Sequence, residues 1–211
     1  MRGSAFKWLN LEAFCDQILP RNKVRKIYYF TARVAARPHD PAQPVRQQMY
    51  LRALATLPRV EIHYGTFLSS VIRQPLVMPD PGDPTRYLRA QGKPVLRTNS
   101  SGAVATEFVL KTEEKGSDVN LAAHLLRDAY KGHCKCAVVI SNDSDLLTPL
   151  RMAKQDCGTT IGLILPRPRG SLELRGLADF TIDPRQHYFA SSQLPNTLSD
   201  ANGTISKPTN W

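Results

Sequence analysis

No apolar run in this chain approaches the roughly 18 residues that a membrane-spanning helix needs. Hydrophobic residues make up 42% of its 211 positions, an ordinary share for a chain that folds around its own core. The opening segment, MRGSAFKWLNLEAFCDQ, is not a secretory signal, because Glu12 and Asp16 interrupt any apolar stretch. With no export signal, the expected location is cytoplasmic, and Cys15, Cys134, Cys136 and Cys157 are expected as reduced thiols. Cysteine is too sparse for a structural zinc site: His133-Cys134-Lys135-Cys136 has no second matched pair, and Cys157 is the only later cysteine. A glycine-rich phosphate loop of the P-loop or dinucleotide type is missing. So is the G-x-S-x-G elbow of an α/β hydrolase. No internal repeat is visible. Acidic residues are scarce at the start: residues 1–60 hold Glu12, Asp16 and Asp40 against eleven lysines and arginines. The whole chain carries a formal charge of +10, with 28 basic and 18 acidic residues. Such a surface attracts polyanions, which predicts a nucleic-acid partner, RNA or DNA, and no membrane. A basic protein without such a partner is the plainer alternative.

What is present alternates between two periodicities. Asn10 can cap a helix whose Leu11, Phe14, Cys15, Ile18 and Leu19 share a face, with Trp8 as a staple and Pro20 as the stop. VRKIYYFTA (24–32) reads as a strand, about Val45 to Leu57 as a helix closed by Pro58, and VEIHYGTFL (60–68) as a strand. Residues 74–106 are rich in Pro, Gly and Ser. They read as a long surface excursion, with a hairpin around Arg86–Arg89 and Glu107–Lys111, and form either a substrate-contacting flap or a variable loop. The rhythm then resumes. Glu107–Lys111 is a strand, and a helix from Ser117 has Val119, Ala122, Leu125, Leu126 and Ala129 inward. KCAVVIS is a strand, Leu146–Lys154 a helix, TTIGLIL (159–165) a strand, LELRGLA (172–178) a short helix and DFTID the lead into a last strand. The tail from Ser191 is polar and rich in turn formers, so residues 191–211 are expected to be disordered. Strands as uniformly apolar as AVVI and IGLIL suit a sheet covered on both faces, hence an α/β fold with a mostly parallel sheet.

In such folds ligands sit beyond the carboxyl ends of the strands. AVVISNDSDLLTPL (137–150) places Asp143 and Asp145 there, between a buried strand and a helix whose first turn must contain Pro149. Helix capping needs one aspartate; two flanking a serine exceed that need. Asp118 follows Gly116-Ser117 at another helix start after Glu113 and Glu114, where a cap by Ser117 and a dipole contact by Asp118 are the structural alternative. Should these strands be neighbours, Asp118 faces Asp143 and Asp145 across the sheet edge. Carboxylates gathered in a cleft repel unless a cation holds them, and oxygen-only ligands suit Mg²⁺ or Mn²⁺. A basic rim would hold phosphates beside such a cluster. The five histidines, His39, His63, His124, His133 and His187, are scattered, and His124 reads as structural.

The segments KTEEKGSDVNLAAHLLRDA and AVVISNDSDLLTPLRMA resemble the NYN domain, a branch of the PIN-like ribonuclease superfamily, and the closing FASSQLP resembles the end of bacterial NYN proteins. The resemblance covers most of residues 5–195 and gives a domain at 1–190 followed by the tail. It implies a Rossmann-like parallel sheet with helices on both faces, an acidic cluster binding Mg²⁺ or Mn²⁺, and RNA cleavage or processing. Asp118 matches the acid of the family's K-x-x-D-V segment, Asp143 and Asp145 its S-x-D-S-D segment, and Glu114 is a further member. Ser141 and Ser144 would orient the carboxylates.

The family normally opens with a strand ending in an aspartate, before a stretch matched here by SAFKWLNL (4–11). That N-terminal central strand is missing, so a lost metal ligand and a gap between the halves of the sheet are expected. Two explanations stand: Met1 is internal to a longer protein, or the chain is a truncated relative. The first is favoured. Three activities follow in order: a metal-dependent endoribonuclease; a non-catalytic RNA-binding pseudo-nuclease using the basic N-terminal half; and an aspartate-nucleophile phosphatase, which ranks last because its D-x-D pair would follow a first strand, not a late one.

Overall fold

The computed structural model describes residues 6–37, 40–166 and 171–209. In chain order the elements are α1 (Leu11–Ile18), β1 (Ile27–Ala32), α2 (Gln43–Ala55), β2 (Val60–Pro75), β3 (Pro79–Asp80), β4 (Asp83–Tyr87), β5 (Arg89–Ala90), β6 (Lys93–Pro94) and β7 (Thr106–Lys115). Then come α3 (Ser117–Tyr130), β8 (Cys136–Ile140), α4 (Leu147–Cys157), β9 (Thr160–Ile164), α5 (Leu172–Leu177), β10 (Phe180–Ile182), α6 (Gln186–Ser191), β11 (Thr197–Asp200) and β12 (Gly203–Ser206). They fall into two compact units, Met1–Thr66 with Lys115–Trp211, and Phe67–Glu114.

In the larger unit, β1 pairs with β2 in parallel, Ile27 opposite Val60. A second parallel sheet has the order β10-β9-β8, with Cys136 opposite Thr160 and Phe180 opposite Gly162. The fold is mixed α/β, as expected, but the single, mostly parallel sheet is corrected to two separate three-stranded sheets, β1-β2-β7 and β10-β9-β8, beside small antiparallel pairs. β1 and β8 each end a sheet, and no described segment supplies the ladder partner that would join them.

Side-chain alternation explains the layers. Along β8 and β9, Val138 and Ile164 belong to a core made by Trp8, Phe14, Ile18, Tyr50, Leu54 and Ile205, on the α1 and α2 side. Val139, Ile161 and Leu163 point the other way, to a core completed by Leu125, Leu146, Leu150 and Leu174 from the α3, α4 and α5 side. Helices therefore cover both faces of that sheet. β1 and β2 obey the same period: Ile27, Tyr29, Val60 and Ile62 join the first core, and Tyr28, Phe30 and His63 turn to the face on which α3 lies, where rings from both strands meet His124. Gly162 in β9 is a close approach: a Cβ there would meet the Phe180 ring at 2.3 Å.

Sequence signals set the helix ends. Asn10 caps α1, its Oδ1 accepting from the Ala13 N–H at 3.0 Å. Trp8 is fully buried, donates its indole N–H to the Pro195 carbonyl at 2.8 Å and packs on Tyr50. The segment expected as a disordered tail is instead built into this core. Leu194 N–H donates to the Trp8 carbonyl, β11 and β12 form a hairpin, Ile205 is fully buried, and Arg52 holds Asp200 through two hydrogen bonds. Composition misses this because Leu194, Leu198, Ile205 and Asp200, each with a partner distant in sequence, outweigh the polar remainder. Val119, expected inward on α3, is 71% exposed. Helix α6 runs into the FASSQLP segment, which carries no helical signal; Phe189 from it stacks on Phe14 at 5.0 Å.

The smaller unit is made of β-structure, not loop. β3 pairs with β4 and β5 with β6, both antiparallel. Leu76 N–H donates to Ala105 O, and Arg97 N–H to Leu76 O. Gln91 and Gly92, at φ 51° and 79°, make the β5–β6 turn a tight one of the kind that needs positive φ at both central residues. Pro75, Pro79 and Pro94 stand at strand ends and Pro81 in the turn between β3 and β4, positions that tolerate a missing N–H.

Candidate functional site

Strand β8 delivers the chain to Ser141-Asn142-Asp143, and a single 3-10 turn, Ser144–Leu146, leads into α4. Leu146 is buried and anchors the turn. Asp143 caps it: its Oδ1 accepts the Asp145 N–H at 3.0 Å, and its own N–H donates to the Ser141 Oγ at 3.0 Å. Pro149 falls in the first turn of α4, where its missing N–H is harmless. One aspartate of the pair therefore does the capping, and Asp145, exposed as is Ser144, is spared that task. Asn142 Oδ1 is buried beside them without a hydrogen-bond partner among the described residues.

Asp118 stands in the first turn of α3, exposed, next to a left-handed N-cap at Gly116 (φ 91°); the cap is that glycine, not Ser117. A Cβ at Gly65 would meet the Lys115 carbonyl at 2.5 Å, so β2 and the start of α3 require glycine there. Helix α3 packs against both the 3-10 turn and α4. Asp118, Asp143 and Asp145 are thus in one unit, though the three do not bring their oxygens within 4.8 Å of one another. Glu114 is on β7 in the smaller unit. The donor set is all oxygen, which fits Mg²⁺ held by one or two carboxylates with water completing its shell, not a closed cage of three.

Among the described residues, a gathering of ligand-type side chains lies elsewhere. Glu61, His63 and His124 each bring one donor atom within 4.8 Å of the others. Glu61 and His63 are two apart on β2, so they share the face that α3 covers, and His124 reaches them from that helix. The imidazole rings are 4.1 Å apart. Phe30 stacks on His63 at 5.3 Å, and Tyr28 lies 5.2 Å from His124. Tyr28 also donates its hydroxyl to Asp128 at 2.8 Å. Burial opposes ionisation of Asp128, but hydrogen bonds from Tyr28 and Arg127 outweigh it and hold the carboxyl below its usual range. Burial and the neighbouring His124 push His63 down. Of the five histidines that looked scattered, His63 and His124 are brought together by pairing and by one helix crossing; His39 lies outside the described residues. The strand period already put Glu61 and His63 on one side; nothing local tied them to His124, 61 residues later.

Four basic residues of the first sixty or so are committed to ion pairs: Lys26 with Glu61, Arg46 with Asp40, Arg52 with Asp200, and Arg59 with Glu12 and Asp16. Arg21, Lys23 and Arg25 are exposed. Among the described residues no helix is long and apolar enough to cross a membrane. All four cysteines are free thiols.

Parallel strands lie between helical layers, with carboxylates in the turn after a strand, in a mixed α/β fold. Residues 85–185 match the family model described as the NYN domain. The chain is also similar to the 6-hydroxy-3-succinoylpyridine 3-monooxygenase HspA of Pseudomonas putida (strain DSM 28022 / S16), with 29% identity over 238 aligned positions, all of this chain and 70% of that protein. No solved structure matches.

Proposed function

We propose that this chain is a divalent-metal-dependent RNA nuclease that cleaves phosphodiester bonds with Asp118, Asp143 and Asp145, and with Glu114 as a further ligand. The observation that supports it is the capped Asp143–Asp145 turn at the end of β8, inside the stretch that matches a nuclease-type family. Mg²⁺ or Mn²⁺ at these carboxylates would polarise a phosphoryl oxygen and acidify a water. Asp143 is fixed by the Asp145 N–H on its Oδ1, so its second oxygen has a set direction. Ser141 holds the Asp143 backbone, and exposed Ser144 is available to a substrate oxygen. Exposed Arg21, Lys23 and Arg25 supply positive charge for a phosphate backbone. Labelled single-stranded RNA incubated with Mn²⁺ should be cut, EDTA should stop the cutting, and Asp118→Asn should slow it by about 100-fold, the scale of one electrostatic contact to a reacting group. RNA bound but never cut would leave a non-catalytic RNA-binding module.

One observation favours a second reading: the similarity to the monooxygenase spans the whole chain, not only residues 85–185. In that reading the chain oxygenates a substituted pyridine. Incubation with 6-hydroxy-3-succinoylpyridine, O₂ and a two-electron reductant tests it; consumption of the pyridine with RNA left intact would replace the nuclease reading.

A further inference from the structure

We propose that Glu61, His63 and His124 form a binding site for a divalent first-row transition-metal ion such as Zn²⁺ or Fe²⁺, separate from the aspartates after β8. The three donor atoms already lie within 4.8 Å of one another. In a tetrahedral site with legs of about 2.0 Å the donors stand about 3.3 Å apart, so a small side-chain closure suffices. Two imidazoles and one carboxylate leave coordination positions open, and this set selects Zn²⁺ or Fe²⁺ over Mg²⁺, which takes oxygen ligands.

The surroundings of each ligand support the assignment. His124 Nδ1 lies 2.8 Å from the Asn120 carbonyl. A carbonyl only accepts, so Nδ1 carries the proton and the lone pair falls on Nε2. A metal-bound histidine is typically oriented in this way, through its other ring nitrogen to a backbone oxygen. His63 Nε2 is buried, and Glu61 Oε1 lies 2.8 Å from it. A ring nitrogen and a carboxylate oxygen at that separation can serve as two ligands of one cation. The other carboxylate oxygen, Oε2, is held by Lys26, which aims Oε1 at the histidines. Tyr28 and Phe30 wall the pair and limit water.

Co²⁺ serves as the probe because its visible d–d bands report coordination and sulfur ligation adds charge-transfer bands. The metal-stripped, folded chain should bind one Co²⁺ at this site with four- or five-coordinate bands and no sulfur band, and Zn²⁺ should displace it where excess Mg²⁺ does not. His63→Gln and His124→Gln should each weaken binding by at least about 100-fold, beyond the 10- to 100-fold that an outer partner contributes. Glu61→Gln, at a half-exposed side chain that the fold tolerates, should weaken it by about 10-fold or more. Circular dichroism confirms that each variant is folded. No Co²⁺ bands in the folded parent, a sulfur band, or binding undiminished in the histidine variants would overturn the proposal. The readout is the metal spectrum, so loss of the RNA-cleavage reading would leave it standing.

Discussion

His63 sits 80% out of solvent by its side chain, facing Tyr28 and Phe30 of β1, Glu61 of its own strand, and His124 and Arg127 of α3. Its pKa is lowered from the ordinary 6.5, first by burial, then by His124, with Glu61 opposing and Arg127 adding to the fall. In the window below 6.5 the unfolded chain therefore binds more protons than the folded one. Stability from this group is complete above the ordinary value and is lost as pH falls through the folded one. Urea midpoints measured from about pH 7 to 5, above the carboxylate range, should decline for the parent and decline less for His63→Gln; equal slopes would remove His63 as the cause. Gly162 makes a second single-residue claim. A methyl at 2.3 Å from the Phe180 ring has to displace it, so Gly162→Ala should cost about 1–3 kcal/mol in denaturant unfolding, the usual range for overpacking. The Asp143–Asp145 turn was legible at this scale, because capping and chain direction are local rules. The His63–His124 contact was not, because it depends on a helix crossing a strand far away in sequence.

Most elements follow from patterns confined to themselves. Asn10 and the Leu11–Phe14–Cys15–Ile18 stripe gave α1; the alternation in 60–68 gave the start of β2; AVVI and IGLIL gave β8 and β9. Where the pattern was thin, the reading was thin. The β11–β12 hairpin has Leu198 and Ile205 as its inward residues and depends on Arg52 and Trp8 for the rest. The 74–106 stretch reads as loop from its prolines, yet Leu76, Met78, Val95 and Arg97 are linked by backbone hydrogen bonds that composition does not encode. The hairpin claim is testable. Ile205 is fully buried in the Trp8 core, so Ile205→Ala should lower the unfolding free energy by about 2–5 kcal/mol. A change within about 0.5 kcal/mol, the range of surface substitutions, would mean the hairpin is not part of that core.

For the whole molecule, charge and site arrangement point the same way. The net charge of +10 survives the internal ion pairs of Lys26, Arg46, Arg52 and Arg59, because each pair was already counted in it. Pairing does change where that charge can act; Arg21, Lys23 and Arg25, with Arg33 and Arg37, are exposed outside those pairs. RNA affinity should therefore fall by about 10-fold or more between 50 and 200 mM salt, the drop that two or more phosphate contacts produce. An affinity flat across that range would argue against backbone contacts. The central claim is that the turn after β8 does chemistry on RNA. It is met most directly by the single-turnover cleavage rate of labelled RNA in Mn²⁺ for the parent and for Asp145→Asn, a substitution that leaves the Asp143 cap and the buried Leu146 in place. The account predicts cleavage by the parent and a loss of about 100-fold or more in the variant. A variant that cuts as fast as the parent would contradict it.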